Sequence, residues 1–343
     1  MGTHLRSEAS VGTMWPVTTN PPGTSASDPD PRADAPLRPD TSLQTETVLS
    51  WARAQLEGPV EAVPIKARPW ASTWRLSSAA GVSFLKAGTV ATRYEVPLMS
   101  ALHRTAPGLM APVLAEGPEN GWLLLADVGR TLHEQLDGQF EVQCWEQLLA
   151  QFAELQRVAE PLVPDLIAAG VPDERPHRLF DVLTELLHDS PNLSELSTAE
   201  RQTLLSQSDR WADSAAQLAQ LSVPASVQHG DLHAGNVALS ADGRARFFDF
   251  GDASIAHPFT TFLVPLQMAR HLGAEQSQIE RLQDSYLEVF TDLAPLRELH
   301  RGLETALVAA VLPKAAAWDR ALLDAPTDHV WGKPVLEYLQ DLL

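Results

Sequence analysis

Between His229 and Asp252 the chain gathers its densest cluster of chemically capable side chains. The run His229-Gly230-Asp231-Leu232-His233-Ala234-Gly235-Asn236 is followed, after an interval, by Asp249-Phe250-Gly251-Asp252. Within the interval, Val237-Ala238-Leu239-Ser240 and Arg244–Phe248 flank the turn Ala241-Asp242-Gly243, which predicts a tight hairpin. Pairing its arms brings Asn236, before the first strand, beside Asp249, after the second. An amide oxygen and a carboxylate so placed suit Mg²⁺ carrying nucleotide phosphates, because a hard cation takes oxygen ligands. Asp231, on the adjoining loop, would project to the same place and accept or orient a hydroxyl proton. The same residues allow another chemistry: His229, Asp231 and His233 have the donor types of a Zn²⁺ or Fe²⁺ triad, as in a metallohydrolase or oxygenase. That alternative leaves Asn236 and Asp249 without a role.

These residues need elements to hold them. The chain has 343 residues, enough for two domains or lobes. Residues 1–40 are crowded with proline and poor in large apolar side chains, so a disordered tail is expected there. A helix should run through Val48, Leu49, Ala52 and Leu56 and end at Gly58-Pro59. Strands follow around Trp70, Trp74, Leu76, Val82, Phe84 and Leu85, with a hairpin turn at Ser78-Ala79-Ala80-Gly81. Residues 93–104 read as a helix, with Pro97 confined to its first turn. Val113–Glu116 and Trp122–Ala126 read as two more strands. Beyond Gly129 the texture is helical: a wide apolar stripe covers 141–158, and the capping box Ser197-Thr198-Ala199-Glu200 opens a helix expected to reach about Leu221. The segment 236–250 is the one β signal in this half. Cys144, among helix-core residues, reads as packing.

With these elements in place, His229–Asn236 resembles the catalytic loop, and Asp249-Phe250-Gly251-Asp252 the metal-binding segment, of the aminoglycoside phosphotransferase and choline-kinase-like family. The resemblance spans roughly residues 45–340 and implies an α+β, two-lobed protein-kinase-like fold, with a small antiparallel-sheet N-lobe and a larger, mainly helical C-lobe. The expected division is 1–40 tail, 41–128 nucleotide-binding N-lobe, and 129–343 C-lobe with the catalytic loop and acceptor site. The implied reaction is Mg²⁺-dependent transfer of the γ-phosphoryl of ATP or GTP to a hydroxyl of a small molecule. Asp231 would be the catalytic base, and Asn236 and Asp249 the Mg²⁺ ligands. Lys86, ending the run Val82-Ser83-Phe84-Leu85, matches the lysine that holds the phosphates, and Glu95 matches its partner carboxylate. Backbone groups near Ala126 and Val128 match the interlobe hinge that bonds the purine.

Three departures accompany the match. The loop near Pro69-Trp70-Ala71-Ser72-Thr73-Trp74 lacks glycine, so a phosphate-covering role would fall to Ser72 and Thr73 through hydroxyls or amides. His257 and Thr261 stand where the family carries carboxylates, and Gln156 stands where many members have His. The changed phosphate loop keeps open a second class of function, a catalytically silent nucleotide-binding regulator.

The balance of 44 Asp+Glu against 25 Lys+Arg, a net charge of −19, argues against nucleic acid and anionic membranes as partners. With one cysteine and no basic-then-apolar leader, a cytoplasmic protein is the expectation. Where the surplus acid lies bears on the acceptor. Carboxylates lining the cleft beyond Asp231, Asp249 and Asp252 would indicate a cationic acceptor; acid spread over outer helices would indicate solubility alone.

Overall fold

In the computed structural model, which describes residues 41–343 except Ala241, Thr327, Asp328, Val330 and Asp341, the first element is α1 (Thr41–Ala54). The expected tail and one residue of the hairpin turn lie outside the described residues. Strands β1 (Glu61–Ala67), β2 (Ala71–Ser78) and β3 (Gly81–Gly88) precede α2 (Glu95–Thr105), and β4 (Val113–Gly117) and β5 (Trp122–Ala126) complete an antiparallel sheet of order β1-β2-β3-β5-β4. Side-chain alternation divides its faces. Trp74, Leu76, Leu85 and Leu124 turn toward Val48, Leu49 and Ala52 of α1 and make a small core. Thr73, Lys86 and Leu123, paired across three neighbouring strands, share the other face. Pro97 is the third residue of α2, where its missing N–H interrupts no helical bond.

The larger lobe opens with α3 (Leu132–Gln135) and α4 (Val142–Ala159). The expected stripe of α4 is buried through Trp145, Leu148, Leu149, Phe152 and Leu155. Next come α5 (Val163–Ala168), α6 (Leu179–Asp189), α7 (Thr198–Leu205) and α8 (Ser208–Ala219), then β6 (Ser226–Gln228), β7 (Val237–Leu239), β8 (Ala245–Phe247) and β9 (Ser254–Ala256). The chain ends in α9 (Leu263–His271), α10 (Gln276–Leu287), α11 (Leu296–Ala309), α12 (Val311–Leu322) and α13 (Pro334–Gln340). This is the expected two-lobed α+β arrangement. The lobes are not independent, because Val96, Leu98, Met99 and Leu102 of α2 join the large lobe's core.

Two expectations are corrected. The capping box at Ser197 forms, but its helix stops at Leu205 and α8 starts afresh. The break falls at Ser206-Gln207, where the Ser206 hydroxyl donates to the Thr203 carbonyl at 2.7 Å and competes with helix continuation. The large lobe also holds two β ribbons rather than one: β7–β8, as expected, and β6–β9. Each strand of the second has three residues, all buried, too short and too uniformly covered for alternation to reveal it. Cys144 is half-buried against the main core.

Candidate active site

On the N-lobe side, Lys86 leaves the end of β3 and its ammonium meets two carboxylates, Glu95 Oε1 at 2.7 Å and Asp249 Oδ1 at 2.5 Å. Glu95 is the first residue of α2 and only 5% exposed. Burial alone would drive Lys86 toward its neutral form, but Asp249 and Glu95 outweigh it and raise the pKa, so the lysine stays charged. Asp249 adopts φ 64°, a left-handed conformation that Asp tolerates better than most residues. The Tyr94 hydroxyl steadies the following turn by donating to Gly251 O at 2.5 Å.

The catalytic loop is built from backbone hydrogen bonds. His229 is fully buried; its Nδ1 accepts from the Asp231 amide at 3.3 Å, which assigns Nε2 as donor to Phe248 O at 3.1 Å. With both ring nitrogens engaged, His229 has none to offer a metal, and the Zn²⁺ or Fe²⁺ triad is disfavoured on that ground. His233 Nδ1 accepts from the Gly235 amide at 2.9 Å, and its Nε2 lies 3.3 Å from Asp231 Oδ2. Gly230 has φ +77°, and a Cβ there would stand 2.3 Å from Asp252 O, so the position admits only glycine without backbone movement.

The hairpin forms as its sequence predicts, with Val237 opposite Phe247, and the Phe248 amide donates to Asn236 O at 3.2 Å. Asn236 and Asp249 thereby both lie at the open end of the hairpin. Asn236 Nδ2 donates to Asp231 O at 3.0 Å and to Asp231 Oδ2 at 3.3 Å, which orients its amide oxygen away from that loop. Asp249 keeps 45% of its side chain exposed. An amide oxygen and an accessible carboxylate are hard donors that fit Mg²⁺.

Beneath the loop, the departures Gln156 and Thr261 meet. Gln156 Nε2 donates to Val227 O at 2.8 Å, Pro258 O at 3.0 Å and Thr261 Oγ1 at 3.2 Å, while its Oε1 accepts from Tyr286 OH at 2.6 Å. Thr261 Oγ1 also accepts the His229 amide at 3.3 Å. A neutral Gln–Thr pair thus braces the catalytic loop. His257 is buried away from the cleft, where its Nδ1 accepts the Phe259 amide at 3.3 Å.

The acceptor side holds a residue that sequence reasoning missed. Lys314, on α12 and 7% exposed, places Nζ 2.8 Å from Gly230 O, 3.0 Å from Asp252 Oδ2 and 3.3 Å from Asp231 Oδ1. Its ammonium also lies 5.7 Å from the Trp318 ring centre. Burial by itself would raise the Asp231 pKa, but Lys314 and then His233 pull it well below the ordinary carboxylate range. One signal pointed to Lys314: it is the lone charge in the apolar run Ala309–Trp318, and a charge so embedded must find partners. Asp319, beside Trp318, faces away and accepts from Ser190 Oγ and from Asn192 Nδ2 at 2.8 Å.

The remaining expected contacts are arranged less simply. The β1–β2 connection is Arg68-Pro69-Trp70, so Ser72 and Thr73 lie within β2 rather than in the loop. Thr73 shares the face of Lys86, and Ser72 takes the opposite one. Trp70 instead reaches the large lobe, edge-on to Trp318 at 6.0 Å and to Trp331 at 5.3 Å. At the expected hinge, the Ala126 amide donates to Pro112 O at 2.9 Å, and Val128 is half-buried.

A family profile described as "Phosphotransferase enzyme family" matches residues 88–299. No curated protein matches the chain. Among solved structures, an ethanolamine kinase from Plasmodium vivax is similar at TM-score 0.61 and 13% identity, over 82% of each chain. The choline kinase LicA from Streptococcus pneumoniae is similar at TM-score 0.59 and 13% identity, over 88% of this chain and 97% of that one. A macrolide 2'-phosphotransferase type I is similar at TM-score 0.52 and 12% identity, over 87% and 96%. At such identities the likeness is one of fold. Among the described residues, no helix is long and apolar enough to cross a membrane.

Proposed function

The chain belongs to the phosphotransferase enzyme family, and from that premise we propose that it transfers the γ-phosphoryl of ATP or GTP, with Mg²⁺, to a hydroxyl of a small molecule. The observation that carries this proposal is the convergence of Lys86, Glu95 and Asp249 from three elements onto one ion cluster, with Asp231 and Asn236 hydrogen-bonded beside it. The solved structure of LicA in complex with AMP supports a nucleotide co-substrate for this fold. In this reading residues 41–128 grip the nucleotide and 129–343 carry the catalytic loop and the acceptor.

Each residue has a definite task. Lys86 holds the α/β-phosphates, and Glu95 keeps Lys86 pointed into the cleft. Ala126 O and the Val128 backbone bond the purine, and Thr73 is better placed than Ser72 to meet the phosphates with its hydroxyl. Asn236 and Asp249 would hold Mg²⁺, which when bound neutralises phosphate charge. Asp231 accepts the acceptor's O–H and fixes its oxygen in line with the γ-phosphorus; the hydroxyl proton passes to Asp231 as the new O–P bond forms and the bond to the leaving diphosphate breaks. Held ionised by Lys314 and His233, Asp231 is a weak base but a permanent hydrogen-bond acceptor. Orientation is therefore its larger contribution, as suits a reaction that depends on positioning and charge. The cytoplasm, with its nucleotides and reduced thiols, is the compartment this chemistry implies.

The test is transfer from ATP or GTP to a panel of hydroxyl compounds, with and without Mg²⁺. Asp231→Asn should bind nucleotide with wild-type affinity by calorimetry yet lose about 10³-fold in turnover. Wild-type turnover in that variant would remove Asp231 from its role. Mg²⁺-dependent nucleotide binding without transfer or hydrolysis in the wild type would favour the silent regulator.

A further inference from the structure

We infer that Lys314 is a specificity-determining residue: it sets the protein's own ammonium where a cationic acceptor's would sit, beside Asp231 and Asp252, and so reserves the site for an uncharged hydroxyl compound, a sugar or polyol. The inference rests on the phosphotransferase reading above and goes beyond it by naming the acceptor's charge.

A cationic acceptor is recognised by carboxylates that lack a partner, and Asp231, Asp252, Glu174 and Asp319 each have one. Asp231 and Asp252 both face Lys314 Nζ, at 3.3 and 3.0 Å. Glu174, 3% exposed, is paired with Arg320 at 2.7 Å. Asp319 is turned toward Ser190 and Asn192. The helix that faces the catalytic loop therefore presents two cations, Lys314 and Arg320, in a chain where acid outnumbers base by 44 to 25.

An anionic acceptor gains no donor from Lys314, and the Nε and Nη2 of Arg320 that lack a hydrogen-bond partner among the described residues are themselves buried. The three N–H donors of Lys314 meet three acceptors, Gly230 O, Asp231 and Asp252, so none is left for a carboxylate or phosphate. Such a group would also be added next to two carboxylates and the nucleotide's own phosphates. A neutral hydroxyl needs only the hydrogen bond that Asp231 offers from a side chain 38% exposed to the cleft.

Lys314 is not poised to move aside. Its neighbours Leu312, Pro313, Ala315 and Ala316 are buried with it, and a cation that displaced Nζ would strand a buried ammonium without its counter-charges. Trp318, against which Lys314 lies, is held edge-on by Trp70 from the small lobe.

The experiment compares kcat/KM of the purified full-length chain, with ATP and Mg²⁺, for neutral sugars and polyols, for ethanolamine, choline and kanamycin, and for glycerate. We expect at least one neutral acceptor to exceed every charged one by about tenfold or more. Lys314→Met should shift the cation-to-neutral ratio about tenfold or more toward the cation, and Lys314→Arg should keep the wild-type order. A wild-type preference for a cationic or anionic acceptor overturns the inference, as does a folded Lys314→Met with an unchanged ratio. Should Lys314→Met not fold, the wild-type order and Lys314→Arg decide.

Ligand-observed NMR on the chain loaded with Mg²⁺ and a non-hydrolysable ATP analogue gives the same ranking without turnover; nucleotide-loaded protein that binds no neutral compound also overturns it. Nucleotide binding, and hydrolysis lost in Asp231→Asn, test the phosphotransferase reading separately.

Discussion

The cleft contains the same device twice, a lysine between two carboxylates, half-buried at Lys86 and buried at Lys314. Lys86 joins Glu95, nine residues away in sequence, to Asp249, 163 residues away in the other lobe. Lys314 joins Asp231 and Asp252, 83 and 62 residues away, and all three belong to the large lobe. The first cluster spans the cleft, so any motion of one lobe against the other must stretch it. The second has all three of its charges in the large lobe, and the small lobe touches its edge through Trp70 against Trp318. A nucleotide that arrives and leaves each cycle suits the first arrangement. An acceptor selected by charge suits the second, because selection needs a fixed reference.

The largest effect on this contrast should come from Gly230→Ala. Left-handed strain and a Cβ 2.3 Å from Asp252 O should cost about 2–5 kcal/mol of stability and disrupt the acceptor-side cluster first. Denaturant unfolding checks the cost, and wild-type stability would show that the loop there gives way easily. Next, Lys86→Met should break the cross-lobe cluster alone, lowering kcat/KM for nucleotide about a hundredfold while leaving the order of acceptors intact. A changed acceptor order would mean that the two clusters are coupled rather than separate.

Thr261→Val removes the acceptor of the His229 amide and one partner of Gln156, at about 1–3 kcal/mol of stability. It should lower kcat and spare the nucleotide KM, since it loosens only the large-lobe loop. The smallest effect concerns His257, whose imidazole burial holds down to about pKa 3 from an ordinary 6.5. Between those values the unfolded chain binds a proton that the native chain refuses, so stability rises with pH there and is lost as pH falls. His257→Asn, which can still cap the following turn, should flatten the loss between pH 7 and 5 by about 2 kcal/mol. Because His257 touches neither cluster, an equal effect on turnover would mark the lobe as less rigid than its packing implies.

What was legible in the sequence follows the range of the interactions involved. The hairpin that sets Asn236 beside Asp249 is local, and its turn and strand residues announce it. The β3–α2 unit that sets Lys86 against Glu95 is equally short-range. Ser72 was read as loop because β2 starts at Ala71, ahead of its apolar core at Trp74 and Leu76, and once it is in the strand alternation puts it on their face. The β6–β9 ribbon was missed because three buried residues carry no periodicity.

The amino-acid sequence by itself determined the two-lobed fold, the order of the motifs and the chemistry they can perform, since each motif is a short run whose turn, cap or strand pattern is set by neighbours in the chain. Only the tertiary structure decided which charges meet. It turned Lys314 inward to Asp231 and Asp252, turned Asp319 outward, and let Gln156 and Thr261 brace the loop in place of charged groups. Those outcomes depend on how α12 and α4 pack around the catalytic loop, and a helix's rotation is settled by the shapes it packs against, at sequence distances that no local pattern records.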